Sequence, residues 1–180
     1  MSFARTIDIR PYRSDDVAAL YEAVIESREE LAPWMPWCHP GYSIEDTRAW
    51  VELQVVNFAE GREYDFVIVA PEGRFLGGCG LNMMDAPNRR ANLGYWIRTS
   101  ETGRGHAVEA VRQLAAWAFD NTDLNRLEII AAVGNVKSQR VAERAGAVRE
   151  GVLRSRIVLH DAVHDAVVYS FVRQTGDRTG

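Results

Sequence analysis

Two glycines, Gly103 and Gly105, stand between a short aromatic run, Leu93-Gly94-Tyr95-Trp96-Ile97, and a stretch of helical spacing that begins at Ala107. The run has strand character, and the polar segment Thr99 to Arg104 ends it. Beyond the loop, Ala107, Ala110, Val111, Leu114, Ala115, Trp117 and Ala118 mark one face of an amphipathic helix. Glycines at such a junction let the backbone take positive φ and approach a ligand closely. A helix that starts here leaves its first N–H groups unpaired and turns the positive end of its dipole toward the loop. The chemistry on offer is anion binding, with a pyrophosphate as the fitting ligand; a tight turn before an ordinary helix is the alternative. Familiar phosphate loops do not match. There is no G-x-x-x-x-G-K-[ST], and the third glycine of a dinucleotide fingerprint would fall on Val108.

Two further groups of residues could do chemistry. Asn135-x-x-Ser138 lies where a strand passes into a helix, and on spacing alone Asn135 reads as an N-cap with Ser138 in the first turn. Arg28-Glu29-Glu30-Leu31-Ala32-Pro33-Trp34-Met35-Pro36-Trp37 puts two tryptophans in a proline-broken loop. Such a loop is either a lid over the core or the wall of a ligand site. Cys38 and Cys79 are far apart, and His39, His106, His160 and His164 are scattered, so neither a disulfide nor a metal site is expected.

The elements that must position these residues are legible in order. Thr6 to Arg10 alternates as a strand closed by Pro11. Ser14-Asp15-Asp16 caps a helix carrying Val17, Leu20, Tyr21, Val24 and Ile25, which must end near Ala32-Pro33. Ser43-Ile44-Glu45-Asp46 is a capping box for a second helix with Trp50, Val51, Val55 and Phe58 periodic and Gly61 as its stop. Strands follow at Asp65 to Ala70 and at Phe75 to Leu81, where glycines suggest a bulge or close packing. The Leu93 strand and its helix come next, then a strand from Leu127 to Val133. Val136 to Ala145 is a helix closed by Gly146. Two long strands, Val148 to Leu159 and Val163 to Val172, are joined at His160-Asp161. The order βααβββαβαββ predicts an α+β fold, a three-layer sandwich with a central mixed sheet and helices on both faces.

With these residues in place, the chain resembles the GCN5-related N-acetyltransferases (GNAT superfamily). Thr102-Gly103-Arg104-Gly105-His106-Ala107 is similar to their coenzyme A loop, Gln/Arg-x-x-Gly-x-Gly/Ala, with Thr102 where Gln or Arg is usual. Glu109-Ala110, Asn125-Arg126-Leu127-Glu128, Asn135-Val136-Lys137-Ser138, Ala145-Gly146-Ala147 and Glu150-Gly151 fall in the order of the RimJ/RimL-like branch, which acetylates ribosomal-protein N-termini. The resemblance runs from about Ile9 to Val172. It implies a mostly antiparallel sheet of about seven strands, with acetyl-coenzyme A as cosubstrate and no metal. It further implies that the pantetheine arm pairs with the backbone of Tyr95, Trp96, Ile97 and Arg98, and that the pyrophosphate rests on the loop through Gly103, Arg104, Gly105, His106 and Ala107. Asn135 would bond the pantetheine, and Ser138, or a tyrosine nearby, would protonate the departing thiolate. Arg28, Glu29, Trp34 and Trp37 would line the site of the amine acceptor, a protein N-terminus or a small molecule. The glutamate base assigned to the branch would fall near Ile157, which cannot serve, leaving Glu29, His39 and His160 as polar candidates near the cleft.

The 180 residues suit one domain, with 173–180 a mobile tail. Apolar content of 47% and charged content of 26% are those of a soluble globular protein, and no apolar run reaches membrane-span length. The first residues lack the apolar core of a signal peptide, so a cytoplasmic location is expected. A net charge of −4 argues against a nucleic-acid partner. Assembly as a homodimer stays open, as does a coenzyme-binding module without turnover; a dinucleotide oxidoreductase would need the glycine missing at Val108.

Overall fold

A computed structural model describes residues 7–174. One seven-stranded sheet runs through it in the order β1-β2-β3-β4-β5-β7-β6. Its strands are β1 (Asp8–Pro11), β2 (Tyr64–Val69), β3 (Phe75–Asp85), β4 (Arg90–Ile97), β5 (Arg126–Ala132), β6 (Val148–Leu159) and β7 (Ala162–Val172). The helices are α1 (Val17–Leu31), α2 (Ile44–Ala59), α3 (His106–Asn121) and α4 (Val136–Ala145). Every neighbouring pair is antiparallel except β4 and β5. The expected element order and sheet therefore hold. Thr6 and residues 175–180 lie outside the described residues, and Arg173, the first residue of the expected tail, is pinned by its side chain to the carbonyls of Thr122 and Leu124.

Strand alternation separates two cores, one on each face of the sheet. On the back, Phe66, Ile68, Leu76, Leu81, Leu93, Leu127 and Ile129 pack against Val111 and Leu114 of α3 and Ala142 of α4. On the front, Val67, Val69 and Phe75 meet Leu20 and Val24 of α1 and Val51 of α2. Two helix ends follow the expected caps, whereas Ser14–Asp16 forms a 3₁₀ turn ahead of α1 and no side chain caps that helix, the Asp16 carboxylate accepting from Arg10 and the Arg13 amide instead. Ser43 and Asp46 form a reciprocal capping box, and Gly146 closes α4 at φ +99°.

Helix α2 departs from the expected apolar face. Val51 is buried, but Trp50 and Val55 are exposed, and Thr47, Gln54 and Asn57 face inward instead. These polar groups are matched: the Thr47 hydroxyl donates to the Ser43 carbonyl, and the Asn57 amide donates to Gln54 and Glu63. A polar inner face survives burial when its hydrogen bonds are made.

The β3 glycines serve close packing. A Cβ on Gly77 would meet the Trp96 carbonyl oxygen and lie 2.9 Å from the Ile97 Cα, both of β4. Backbone cannot step aside as a flexible side chain can. Gly77→Ala should therefore destabilise the fold by about 2–3 kcal/mol, read as a lower midpoint in urea with an unchanged m-value; an unshifted midpoint would mean that β3 and β4 are not this close.

Candidate active site

β4 and β5 diverge. They pair only at Arg90, Ala91 and Asn92 against Arg126, Leu127 and Glu128, so the sheet opens as a V from Leu93 onward. Along the open arm, the Arg98 amide donates to the Leu76 carbonyl at 2.8 Å, and the Trp96 carbonyl faces Gly77, so both point toward β3. Alternation leaves the polar backbone groups of Leu93, Tyr95 and Ile97 on the free edge. Of the four residues expected there, Tyr95 and Ile97 therefore face the opening, whereas Trp96 and Arg98 turn their backbone groups inward.

A 3₁₀ turn at Thr99–Glu101 carries β4 into the glycine loop. Gly103 and Gly105 have φ of +78° and +86°, and nothing lies within 4 Å of a Cβ built on either. They are needed for backbone conformation, and they leave open space at the start of α3. Gly105 is the N-cap of α3 without a side-chain cap, so the first amides of the helix, from His106 and Ala107 on, face that space. The Thr102 hydroxyl donates to the Thr99 carbonyl at 2.9 Å.

The Arg98 side chain ties the end of β4 to α1. Its guanidinium bonds Glu22 and Glu26 of α1 at 2.9 Å each, and Glu26 also accepts from the Ser100 amide. Ser27 accepts from the Thr99 amide, so the loop's entry is tied to α1. The Arg98 bond holds the Glu26 carboxyl at about 2, well below its ordinary value. Glu101 escaped sequence reading. This carboxylate is buried, bonds Arg74, and lies 3.4 Å from Arg104 and 3.7 Å from His106. Its hydrogen bond from Arg74 and the nearby cations keep its pKa low. No local signal distinguishes a buried Glu101 from a solvated one, since Arg74 arrives from another turn.

Across the V, Asn135 caps α4, its Oδ1 accepting from the Ser138 amide at 3.1 Å. The helix-capping role read from spacing is thus real and leaves the Asn135 Nδ2 available. The Tyr95 hydroxyl spans the opening: it lies 2.9 Å from the Ser138 Oγ and equally close to the Ser138 carbonyl. Burial pushes the Tyr95 hydroxyl up to about 12, so it keeps its proton at neutral pH.

The tryptophan loop lies on the front of the sheet, beside the opening. The Trp34 ring lies 3.4 Å from where a Gly134 Cβ would stand, beside Asn135. The Trp37 ring centroid is 6.3 Å from Trp96 and 5.9 Å from Tyr42, and both loop tryptophans stay partly exposed, at 37% and 44%. His160, at the β6–β7 turn with Asp161, bonds the Ala32 carbonyl at 2.7 Å and so braces this loop. Arg28 reaches the Tyr42 carbonyl at 3.5 Å and keeps its buried Nε without a partner, while Glu29 and His39 are exposed. Ile157 is half-buried on β6. Among the described residues, no cluster of His, Cys, Asp and Glu is arranged to hold a metal ion, and no helix is long and apolar enough to cross a membrane.

Beside this geometry stands the chain's likeness to a known family. The family model described as an acetyltransferase (GNAT) domain matches residues 6–148. The chain belongs to the GNAT acetyltransferases. Within that family it is similar to the Bacillus subtilis (strain 168) protein named "Putative ribosomal N-acetyltransferase YdaF", at 33% identity over 93% of this chain and 92% of the relative. It is 28% identical to the ribosomal-protein-serine acetyltransferase of Escherichia coli (strain K12), over 93% of each chain. The solved structure of RimL, a ribosomal L7/L12 alpha-N-protein acetyltransferase in complex with coenzyme A, shares the GNAT fold. Its TM-score is 0.86 at 24% identity, over 94% of this chain and 95% of that one. These relatives place this GNAT chain in the RimJ/RimL-like branch.

Proposed function

We propose that this GNAT acetyltransferase moves an acetyl group from acetyl-coenzyme A to a primary α-amine, by direct attack within a ternary complex. The observation that carries the reading is the open β4 edge at Leu93, Tyr95 and Ile97 leading to the free amides of the Gly103–Ala107 loop. A pantetheine arm is an extended chain of amides that can add to a strand edge, and its pyrophosphate suits the amides at the head of α3. The names of the relatives, which carry ribosomal-protein acceptors, support a protein N-terminus as the amine.

Amine chemistry favours the same choice. An α-amine with pKa near 7.8 is roughly one-seventh neutral at pH 7, whereas a lysine near 10.4 is neutral in well under about one part in a thousand. When the tetrahedral intermediate collapses, the thiolate leaves with a pKa of about 8.5 and gains from a nearby proton. In this reading Ser138, which is in hydrogen-bond contact with the protonated Tyr95, supplies it. The decisive experiment is release of thiol from acetyl-coenzyme A in the presence of short peptides with free or blocked N-termini.

Trp34 and Trp37 serve as the acceptor's walls in this reading. Trp34→Ala and Trp37→Ala should each raise acceptor KM by about tenfold while calorimetric affinity for acetyl-coenzyme A stays as in the wild type. Unaltered acceptor kinetics would return both rings to a purely structural role.

A further inference from the structure

The cleft's front face holds a carboxyl that nothing described so far employs. Asp65 on β2 pairs in register with Gly80 on β3, and Gly80 with Gly94 on β4. Cross-strand partners point to the same face, and this is the face of Trp96 and Trp37. A Cβ on Gly80 would lie 2.7 Å from the Asp65 Cγ, so the carboxyl leans over Gly80 toward β4. Over the neighbouring Gly78, the Tyr12 hydroxyl and the Trp96 indole nitrogen would stand 2.7 Å and 2.8 Å from a Cβ and fill the space. Gly94 is different: it is partly accessible, and a Cβ there would meet only the Asn92 amide at 3.9 Å. On the far side the floor ends at the hydrogen-bonded Asn82–Asn92 pair. The result is a small trough floored by Gly94, with Trp96 at one end, two asparagines at the other, and the Asp65 carboxyl, which covers Gly80, along one side.

We propose that Asp65 receives the proton of the acceptor's ammonium group, which sits in this trough. The inference rests on the acetyl-transfer reading above and names the base that reading lacks. With the pyrophosphate at the C-terminal end of β4, the coenzyme arm runs back along the open edge and brings its thioester toward the apex of the V, beside Leu93 and Gly94. Strands are spaced by about 4.8 Å, so the arm lies roughly 10 Å from the position over Gly80. An amine and one bridging water span that gap, which is within the reach of a general base.

The chemical surroundings suit a cation. Asp65 makes no hydrogen bond or ion pair among the described residues. The titratable groups coupled to it are Glu63 before β2, the Tyr12 hydroxyl and, from the back core, the Cys79 thiol, and none of these is cationic. Burial, with Glu63 adding to it, lifts the Asp65 carboxyl to about 7. An incoming ammonium supplies the missing counter-charge and then gives one proton to the carboxylate. The freed nitrogen lone pair forms the C–N bond; as the adduct collapses and the C–S bond breaks, the nitrogen's second proton passes through the bridging water to solvent, and the thiolate takes a proton from the Ser138–Tyr95 pair, which recovers it from solvent. The carboxyl returns its own proton to solvent.

The test compares kcat for wild type and Asp65→Asn, with saturating acetyl-coenzyme A and an α-amine peptide, from pH 6.5 to 9. The Asn variant can acetylate only peptide that is already neutral. Its kcat should be about sevenfold down at pH 7, the factor set by a neutral fraction of roughly one-seventh, and should recover toward the wild-type value as pH passes the amine's own pKa. Its melting temperature at pH 8 should equal or exceed that of the wild type, since a half-buried charge is gone. A deficit that is constant across the pH range would show a merely structural role, and an unchanged kcat at pH 7 would exclude any role; either result overturns the proposal. Gly94→Val tests the location separately. It should raise acceptor KM at least tenfold with unchanged calorimetric affinity for acetyl-coenzyme A, and an unchanged KM would remove the trough from the acceptor path. If wild-type protein releases no thiol with any α-amine, both this inference and the acetyl-transfer reading fail. If wild type turns over and Asp65→Asn matches it, only this inference fails.

Discussion

Gly105→Val should abolish acetyl-coenzyme A binding in any practical range, with Kd raised by about 100-fold or more. The residue sits at φ +86° as the N-cap of α3, and its missing Cβ faces open space rather than protein. Two effects therefore combine. A β-branched residue is strained at that φ and pulls the loop out of shape. What remains of the loop carries two methyl groups where the pyrophosphate would rest. Loss of two charge-assisted hydrogen bonds, at about 1.5 kcal/mol each, corresponds to about 100-fold in affinity. Gly105→Ala should fall between the two proteins. Calorimetric titration of both variants decides the matter: wild-type affinity in Gly105→Val would mean that the anion is bound elsewhere.

Tyr95→Phe and Ser138→Ala should each lower kcat by about 10- to 100-fold at pH 7, with the calorimetric affinity for acetyl-coenzyme A changed much less. The two hydroxyls are 2.9 Å apart and bridge the V, so they act as one proton-bearing pair. Removing either breaks the pair, and the double variant should be no slower than the worse single one. Because burial holds the Tyr95 hydroxyl at about 12, the kcat profile should show no loss of activity from its ionisation below pH 9. Strictly additive defects in the double variant would show that the hydroxyls work independently, and a defect confined to the acetyl-coenzyme A KM would assign Ser138 a binding role.

Much of the scaffold was readable because its signals are local. The Ser43–Asp46 capping box, Gly146 beyond α4 and the Gly-x-Gly ahead of α3 each depend on a few consecutive residues, and each stands where it was expected. The parts that escaped depend on pairing across the chain. Nothing near Asn92 announces that β4 and β5 separate there, because that follows from where two distant strands run. The Tyr95–Ser138 contact joins residues 43 positions apart. Asp65 at the head of Asp-Phe-Val-Ile-Val looks like a solvated strand end, and only its register against Gly80 brings it beside the trough. Arg98 reads as one more residue of the coenzyme edge, yet its partners Glu22 and Glu26 lie on α1, more than seventy positions earlier. On α2, Trp50 and Val55 carry the periodic signal while Thr47, Gln54 and Asn57 are buried, because their hydrogen bonds satisfy an inner face that hydrophobic spacing does not register.

The central claim, acetyl transfer from acetyl-coenzyme A to an α-amine, is tested most directly with one pair of peptides. Both contain a lysine; one has a free N-terminus, and the other has its N-terminus blocked. Thiol release is followed at neutral pH, and the product is located by mass spectrometry. The expected result is rapid release with the free peptide only, with a single acetyl group on its first residue and the lysine untouched. Equal or faster release with the blocked peptide, or acetyl found on the lysine side chain, would contradict the account.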